Sequence, residues 1–214
     1  SGKVNPSGKL ATTLTIKYED VPSAKRFTSK EFPEQAPSGM FCMKQIPAEV
    51  IYDEGIYVGY RYYNTYNVKP AYEFGYGMSY TKFSYSNLKL SSSQFNGKLT
   101  ASIVITNTGK VAGKEVAQLY ISAPSGNLNK PSEELKGFAK TNLLTPGQSE
   151  TIHFTINAGD LASFDTQRTA WVADAGKYTV KIGASSLDIK ESANFNLPKE
   201  IAIQLANLPE ESKL

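Results

Sequence analysis

From Phe83 onward, apolar and polar residues alternate with a period of two. Leu99, Ala101, Ile103 and Ile105 interleave with Thr100, Ser102, Val104 and Thr106, and Ala117, Leu119 and Ile121 with Val116, Gln118 and Tyr120. Ile152, Phe154 and Ile156 do so with Thr151, His153 and Thr155, and Tyr178, Val180 and Ile182 with Lys177, Thr179 and Lys181. Successive side chains of a strand point to opposite faces, so each run predicts a strand with one face in a core. Ser84–Leu90, Leu135–Ala139 and Leu187–Phe195 supply further short strands. Turn residues such as Asn107-Thr108-Gly109 and Ala184-Ser185-Ser186 separate them.

About seven strands in roughly 115 residues is the rhythm of an all-β, immunoglobulin-like sandwich. Asp174-Ala175-Gly176-Lys177-Tyr178 resembles the approach to a tyrosine corner, while the cysteine pair of antibody domains is missing. A fibronectin type III-like sandwich over 83–198 fits better. Upstream the pattern differs. Residues 1–50 hold one expected strand, Leu10 to Ile16, then an irregular run punctuated by Pro22, Pro33, Pro37 and Pro47. A long stretch without periodicity argues against a self-contained domain. It reads as an irregular excursion that lies over a neighbouring surface.

Residues 51–82 read as a connector. Ile56, Val58, Tyr60 and Tyr62 alternate with Tyr57, Gly59, Arg61 and Tyr63, which predicts a strand covered on both faces. The turn-rich EFGYGMSYT follows, its glycines allowing a tight path. In the tail, 199–214, Ile201, Ile203 and Leu205 fit either a strand or an amphipathic extension.

Composition narrows the function classes. Of 214 residues, 40% are hydrophobic and 11% aromatic, which fits a folded β-rich chain. The 23 Lys and Arg against 20 Asp and Glu leave a net charge of +3, and no block of like charge reads as a nucleic-acid tail. No apolar run has the length of a membrane span, and SGKVNPSGKL lacks the layout of a signal peptide. Cys42 is the only cysteine, so no intrachain disulfide forms, and it reads as a small packed hydrophobe.

Ten of the 13 tyrosines fall between Tyr52 and Tyr85. Nucleic-acid stacking would want interleaved cations, yet 52–80 contains only Arg61 and Lys69. A sugar-stacking platform and a packing seam both remain, the seam being favoured because amphipathic rings bury their bodies while hydrogen bonding through their hydroxyls.

Candidate chemistry is sparse. His153, the sole histidine, lies on an outward strand face without a nucleophile pattern beside it. No phosphate-binding glycine motif or zinc spacing occurs. Glycoside hydrolysis needs two carboxylates flanking the scissile bond, and Asp53, Glu54, Asp160, Asp165 and Asp174 qualify by residue type. Each has a local alternative: Asp160 and Asp165 lie in GDLASFD, where Asp caps backbone N–H groups, and Asp174 starts a turn. Trp171 fits sandwich core or rim better than an exposed platform. No residue is assigned a catalytic, cofactor-binding or metal-binding role, and no cofactor is expected.

The order GKVNPSGKL, EGIYVGYRYY, FGYGMSYTKFSYSNL, ITNTGKVAGKEVAQLYI, PSEELKGFAK, LTPGQSETIHF and GKYTVKIGASS resembles the C-terminal part of family 3 glycoside hydrolases, the β-glucosidase and β-xylosidase family. The resemblance runs from residue 1 to about 197, with EGIYVGYRYY and GKEVAQLYI the most diagnostic stretches. It implies a barrel carrying an aspartate nucleophile, an α/β sandwich carrying an acid/base glutamate, and a terminal fibronectin type III-like domain. NPSGKL resembles the end of that α/β sandwich, so the chain is expected to start downstream of both catalytic residues, and none can be placed on a position here. A non-catalytic portion is therefore expected, from a parent that hydrolyses β-linked sugars with retention. Its expected partners are the upstream catalytic domains, with carbohydrate contact and self-association through exposed tyrosines as further possibilities. The family implies export to the periplasm or extracellular space.

Overall fold

The structure is a computed structural model describing residues 3–27, 29–35, 46–124, 126 and 128–204; the reading of Cys42 lies outside them. The alternating runs form two packed sheets. One has the order β3-β4-β7, built from Phe83–Leu90, Lys98–Asn107 and Ser149–Asn157. The other has the order β11-β10-β5-β6, from Ile189–Leu197, Gly176–Gly183, Val116–Ser122 and Glu134–Lys140. All these pairings are antiparallel. This is the expected all-β sandwich of the fibronectin type III kind.

The alternation decides what enters the core. Leu99, Ile103, Ile105, Ile152, Phe154 and Ile156 of the first sheet pack against Ala117, Leu119, Ile121, Val180, Ile182 and Phe195 of the second. Tyr178 is fully buried, lies 5.4 Å from Phe195 in a stacked arrangement, and donates its hydroxyl to the Asp174 carbonyl at 2.9 Å. That bond, four residues back along the chain, is the tyrosine corner. Between β7 and β10 the chain forms elements that the alternation did not announce. Helix α2 (Ala158–Leu161) and strands β8 (Ser163–Asp165) and β9 (Ala170–Ala173) come first, and β9 then pairs with β12 (Ile201–Gln204). The tail thus adopts the strand alternative over 201–204. The last long strand runs two residues later than expected, at 189–197.

Two upstream expectations are corrected. Leu10–Ile16 is not a strand: Leu14 makes one isolated bridge to Tyr72, and Leu10 N–H bonds to the Tyr76 carbonyl at 2.8 Å. Ile56–Tyr63 is not one either. Gly59 takes a φ of +55°, which breaks the extended path, and α1 (Tyr60–Thr65) follows. Helical spacing sorts the tyrosines differently: Tyr60, Tyr63 and Asn64 share the face turned to the sandwich, while Tyr62 and Tyr66 meet on another, 5.1 Å apart. Short strands β1 (Lys30–Glu31) and β2 (Ala48–Glu49) pair with each other.

The upstream segments do not hang free. Residues 5–14 run against 71–80, and Tyr60 to Gly75 reach the outer face of the β5–β6–β10 sheet. In consequence β5 is buried on both sides: Ala117, Leu119 and Ile121 face the core, and Gln118 and Tyr120 face this layer.

Candidate functional site

The layer's contact with the sandwich concentrates ordered polar chemistry. Tyr60 packs between Phe74 and Tyr120, at 5.0 and 5.8 Å between ring centres, and its hydroxyl accepts from Leu135 N–H at 2.8 Å. Asn64 donates to Glu133 Oε1 at 2.6 Å and to the Ser186 carbonyl at 3.0 Å. Lys181 Nζ holds the other Glu133 oxygen at 2.7 Å, so this carboxylate, 5% exposed, is paired on both sides. Ser185 donates to Glu73, and Ser186 N–H bonds to the Phe74 carbonyl. Arg61 holds Glu134 at 2.8 Å.

Gly75 marks the closest approach. Its φ is +84°, and a Cβ there would lie 2.3 Å from Gln118 Nε2. Gln118 is held from both ends, donating to the Ala184 carbonyl and accepting from the Tyr120 hydroxyl. Burial, then the neighbouring Tyr60 and Glu133, raise the Tyr120 pKa well above the ordinary phenol value, which keeps it a donor. Tyr85 is raised in the same way, by burial first and then by Glu115.

At the other end, Asn107 is fully buried and makes four bonds. Its oxygen accepts from Thr81 Oγ1 and Gly109 N–H, and its nitrogen donates to the carbonyls of Val111 and Leu144. A residue that reads as a turn signal is thus a hub tying the end of β4 to the segments at Thr81, Gly109–Val111 and Leu144. Asn5 closes the layer there, accepting from Tyr80 N–H and Ser79 Oγ.

The carboxylates singled out by residue type are dispersed over distinct local structures. Asp160 accepts from Asn157 N–H at 2.7 Å in a capping box at α2. Asp165 accepts from the N–H groups of Gln167 and Arg168. Asp174 pairs with Lys130, and Asp53 with Arg26 at 2.8 Å. Glu54 and Asp53 line an open hollow of about 620 Å³ with Tyr57, Tyr62, Tyr66 and Asn129. Tyr57 spends its hydroxyl there on Asn129 at 2.6 Å. His153 is exposed on β7. Trp171 is 41% exposed at the sandwich rim, edge-on to Phe164 at 5.6 Å and 62°. No group of three or more His, Cys, Asp or Glu side chains that could hold a metal is found among the described residues. Nor is any helix among them long and apolar enough to cross a membrane.

The fold and this seam define a fibronectin type III-like sandwich with an integral upstream layer, and residues 115–186 match the fibronectin type III-like domain family. Thermostable β-glucosidase B of Acetivibrio thermocellus is 38% identical over 199 residues, covering 91% of this chain and 24% of that enzyme. β-Glucosidase BoGH3A of Bacteroides ovatus is 42% identical over 197 residues, covering 91% of this chain and 25% of its own length. In structure, the chain resembles β-glucosidase 3B of Thermotoga neapolitana, solved in complex with α-D-glucose. The TM-score is 0.82 and the identity 48%, over 95% of this chain and 26% of that one. The chain corresponds to the C-terminal region of family 3 β-glucosidases and spans about a quarter of the length of these relatives.

Proposed function

We propose that this chain is the non-catalytic C-terminal portion of a β-glucosidase-like hydrolase, with a sandwich that supports the catalytic domains. The observation that carries this reading is the match itself: a close correspondence along nearly the whole chain to a quarter of enzymes whose remaining three quarters lie outside it. Asp160, Asp165 and Asp174, each held by its own local partners, support it, because a glycosidase needs two carboxylates facing one sugar. The intact parent would hydrolyse terminal β-linked sugars with retention. Export to the periplasm or extracellular space belongs to the same proposal and rests on the family resemblance alone.

Hydrolysis of chromogenic aryl β-glucoside and β-xyloside tests this, with the chain alone beside the complete polypeptide of its reading frame. Silence from the chain and turnover by the complete form is the expected result. Turnover by the purified chain would overturn the reading and make Asp53 and Glu54, which share one hollow, the first residues to substitute.

A second reading, a carbohydrate-binding sandwich, is favoured by one observation. Phe164, Trp171 and Ile203 are cross-strand partners and about 40% exposed each, forming an apolar row. Retention on insoluble glucan that Trp171→Ala abolishes would support it.

A further inference from the structure

The layer over the outer sheet leaves an apolar groove open beside it. The groove has a volume of about 430 Å³, with Leu10 and Phe74 on the layer side and Leu135, Phe138 and Ala139 on the β6 side. A plain alternation along ELKGFAK would send Leu135 and Phe138 to opposite faces. The ladder instead shifts between Leu119 and Tyr120, pairing Leu135 with Tyr120 and Phe138 with Gln118. Tyr120 and Gln118 both face outward, so the bulge brings Leu135 and Phe138 to the same outer face. Phe138 then stands 73% exposed on β6, the edge strand of its sheet. An edge strand presenting a large ring beside an apolar hollow is the kind of surface that a folded protein covers.

We propose that this groove seats the rest of the polypeptide: an apolar segment from the upstream part of the parent, docked in cis between Phe138 and Phe74. The inference rests on the accessory reading above. Two observations choose this occupant over a second copy. The relatives carry roughly three quarters of their length outside the matched region. The matched region is their C-terminal part, so their preceding polypeptide lies N-terminal to the segment corresponding to Lys9–Ala11, residues that themselves line the groove. Lys9 is already paired with Glu115 at 2.8 Å, and Lys140 is the rim cation that fits a segment with a carboxylate at its edge.

Thermal unfolding of Phe138→Ser, made in the isolated chain and in the complete polypeptide, tests the proposal. In the isolated chain the ring is mostly in water, so Tm should move by no more than a degree or two. In the complete polypeptide it should fall by several degrees. Leu187→Ser, an exposed apolar position outside the groove lining, serves as a control and should stay silent in both. Hydrogen exchange of the unsubstituted protein gives a reading without any variant: amides of 135–140 should be protected more in the complete form. Equal protection in both forms, or a silent Phe138→Ser in the complete polypeptide, would overturn the assignment while leaving the accessory reading intact. A concentration-dependent dimer of the isolated chain that Phe138→Ser dissolves, with 135–140 unprotected in the complete form, would make a second copy the occupant. Hydrolysis by the isolated chain would remove the reading on which the proposal stands.

Discussion

The sandwich and the layer laid over it are held by different forces. Inside the sandwich the contacts are apolar and repetitive: every second residue of β4, β7 and β10 enters one core. In the layer, a six-residue helix is too short to be stable by itself. It is fixed instead by aromatic packing of Tyr60 and by specific hydrogen bonds that Asn64 donates and that Thr65 and Glu73 accept. The core tolerates exchanges that keep volume and apolarity, whereas the layer depends on individual donors and acceptors. The difference teaches that 54–82 is tied to the sandwich as part of its fold, more than as a tether leading into it.

The comparison breaks first at the core. Leu99 is fully buried, so Leu99→Ala should cost about 3 kcal/mol, within the usual range for deleting a buried leucine side chain. Urea unfolding measures it, and a loss below about 1 kcal/mol would show a core looser than its burial implies. Next comes the seam: Asn64→Ala strips one partner from the buried Glu133 and a side-chain donor from the Ser186 carbonyl, and should cost about 2 kcal/mol. Hydrogen exchange should rise at 60–65 before it rises in β10, and simultaneous loosening of both would erase the distinction between layer and sandwich.

Alkaline pH sharpens the comparison by acting on the sandwich and, through Tyr120, on its seam with the layer. Tyr85, Tyr120 and Tyr178 have folded-state pKa values raised above the ordinary phenol value of about 10 by burial, with Glu115, Tyr60 and Asp174 adding to them respectively. The folded state therefore keeps its protons where the unfolded chain releases them. The stabilisation is fully present below pH 10 and is lost as pH rises above it toward the folded values. Ultraviolet titration should show these phenols ionising only on unfolding; early, reversible ionisation of all 13 tyrosines would contradict their burial. The smallest effect belongs to the surface: Arg168→Ala breaks an exposed pair with Glu200 and should leave the unfolding midpoint unchanged.

Much of the sandwich was legible because a strand with one buried face writes its burial as a period of two. Leu99 to Ile105 and Tyr178 to Ile182 gave both strand and facing directly. The tyrosine corner was also legible, since Tyr178 at a fixed offset from the turn at Asp174 is a local pattern. The layer was not. Ile56 to Tyr63 alternates like a strand, and only the backbone turn at Gly59 and the contact of Tyr60 with Tyr120, distant in sequence, make the segment helical. Asn107 looked like a turn residue because its four partners lie at 81, 109, 111 and 144. Phe138 carried no signal of its own, because its exposed facing depends on a register shift against β5.

By itself, then, the sequence determined the number, order and inward faces of the main strands, and through its motif order the kind of enzyme to which the region corresponds. Those are properties of local periodicity and of residue identity read along the chain. Tertiary structure alone decided that the tyrosine-rich stretch covers the outer sheet, that Glu133 is buried between Asn64 and Lys181, and that Leu135 and Phe138 share a face beside an open groove. Each of these depends on which distant residues meet and in what register, and neither composition nor periodicity encodes a partner.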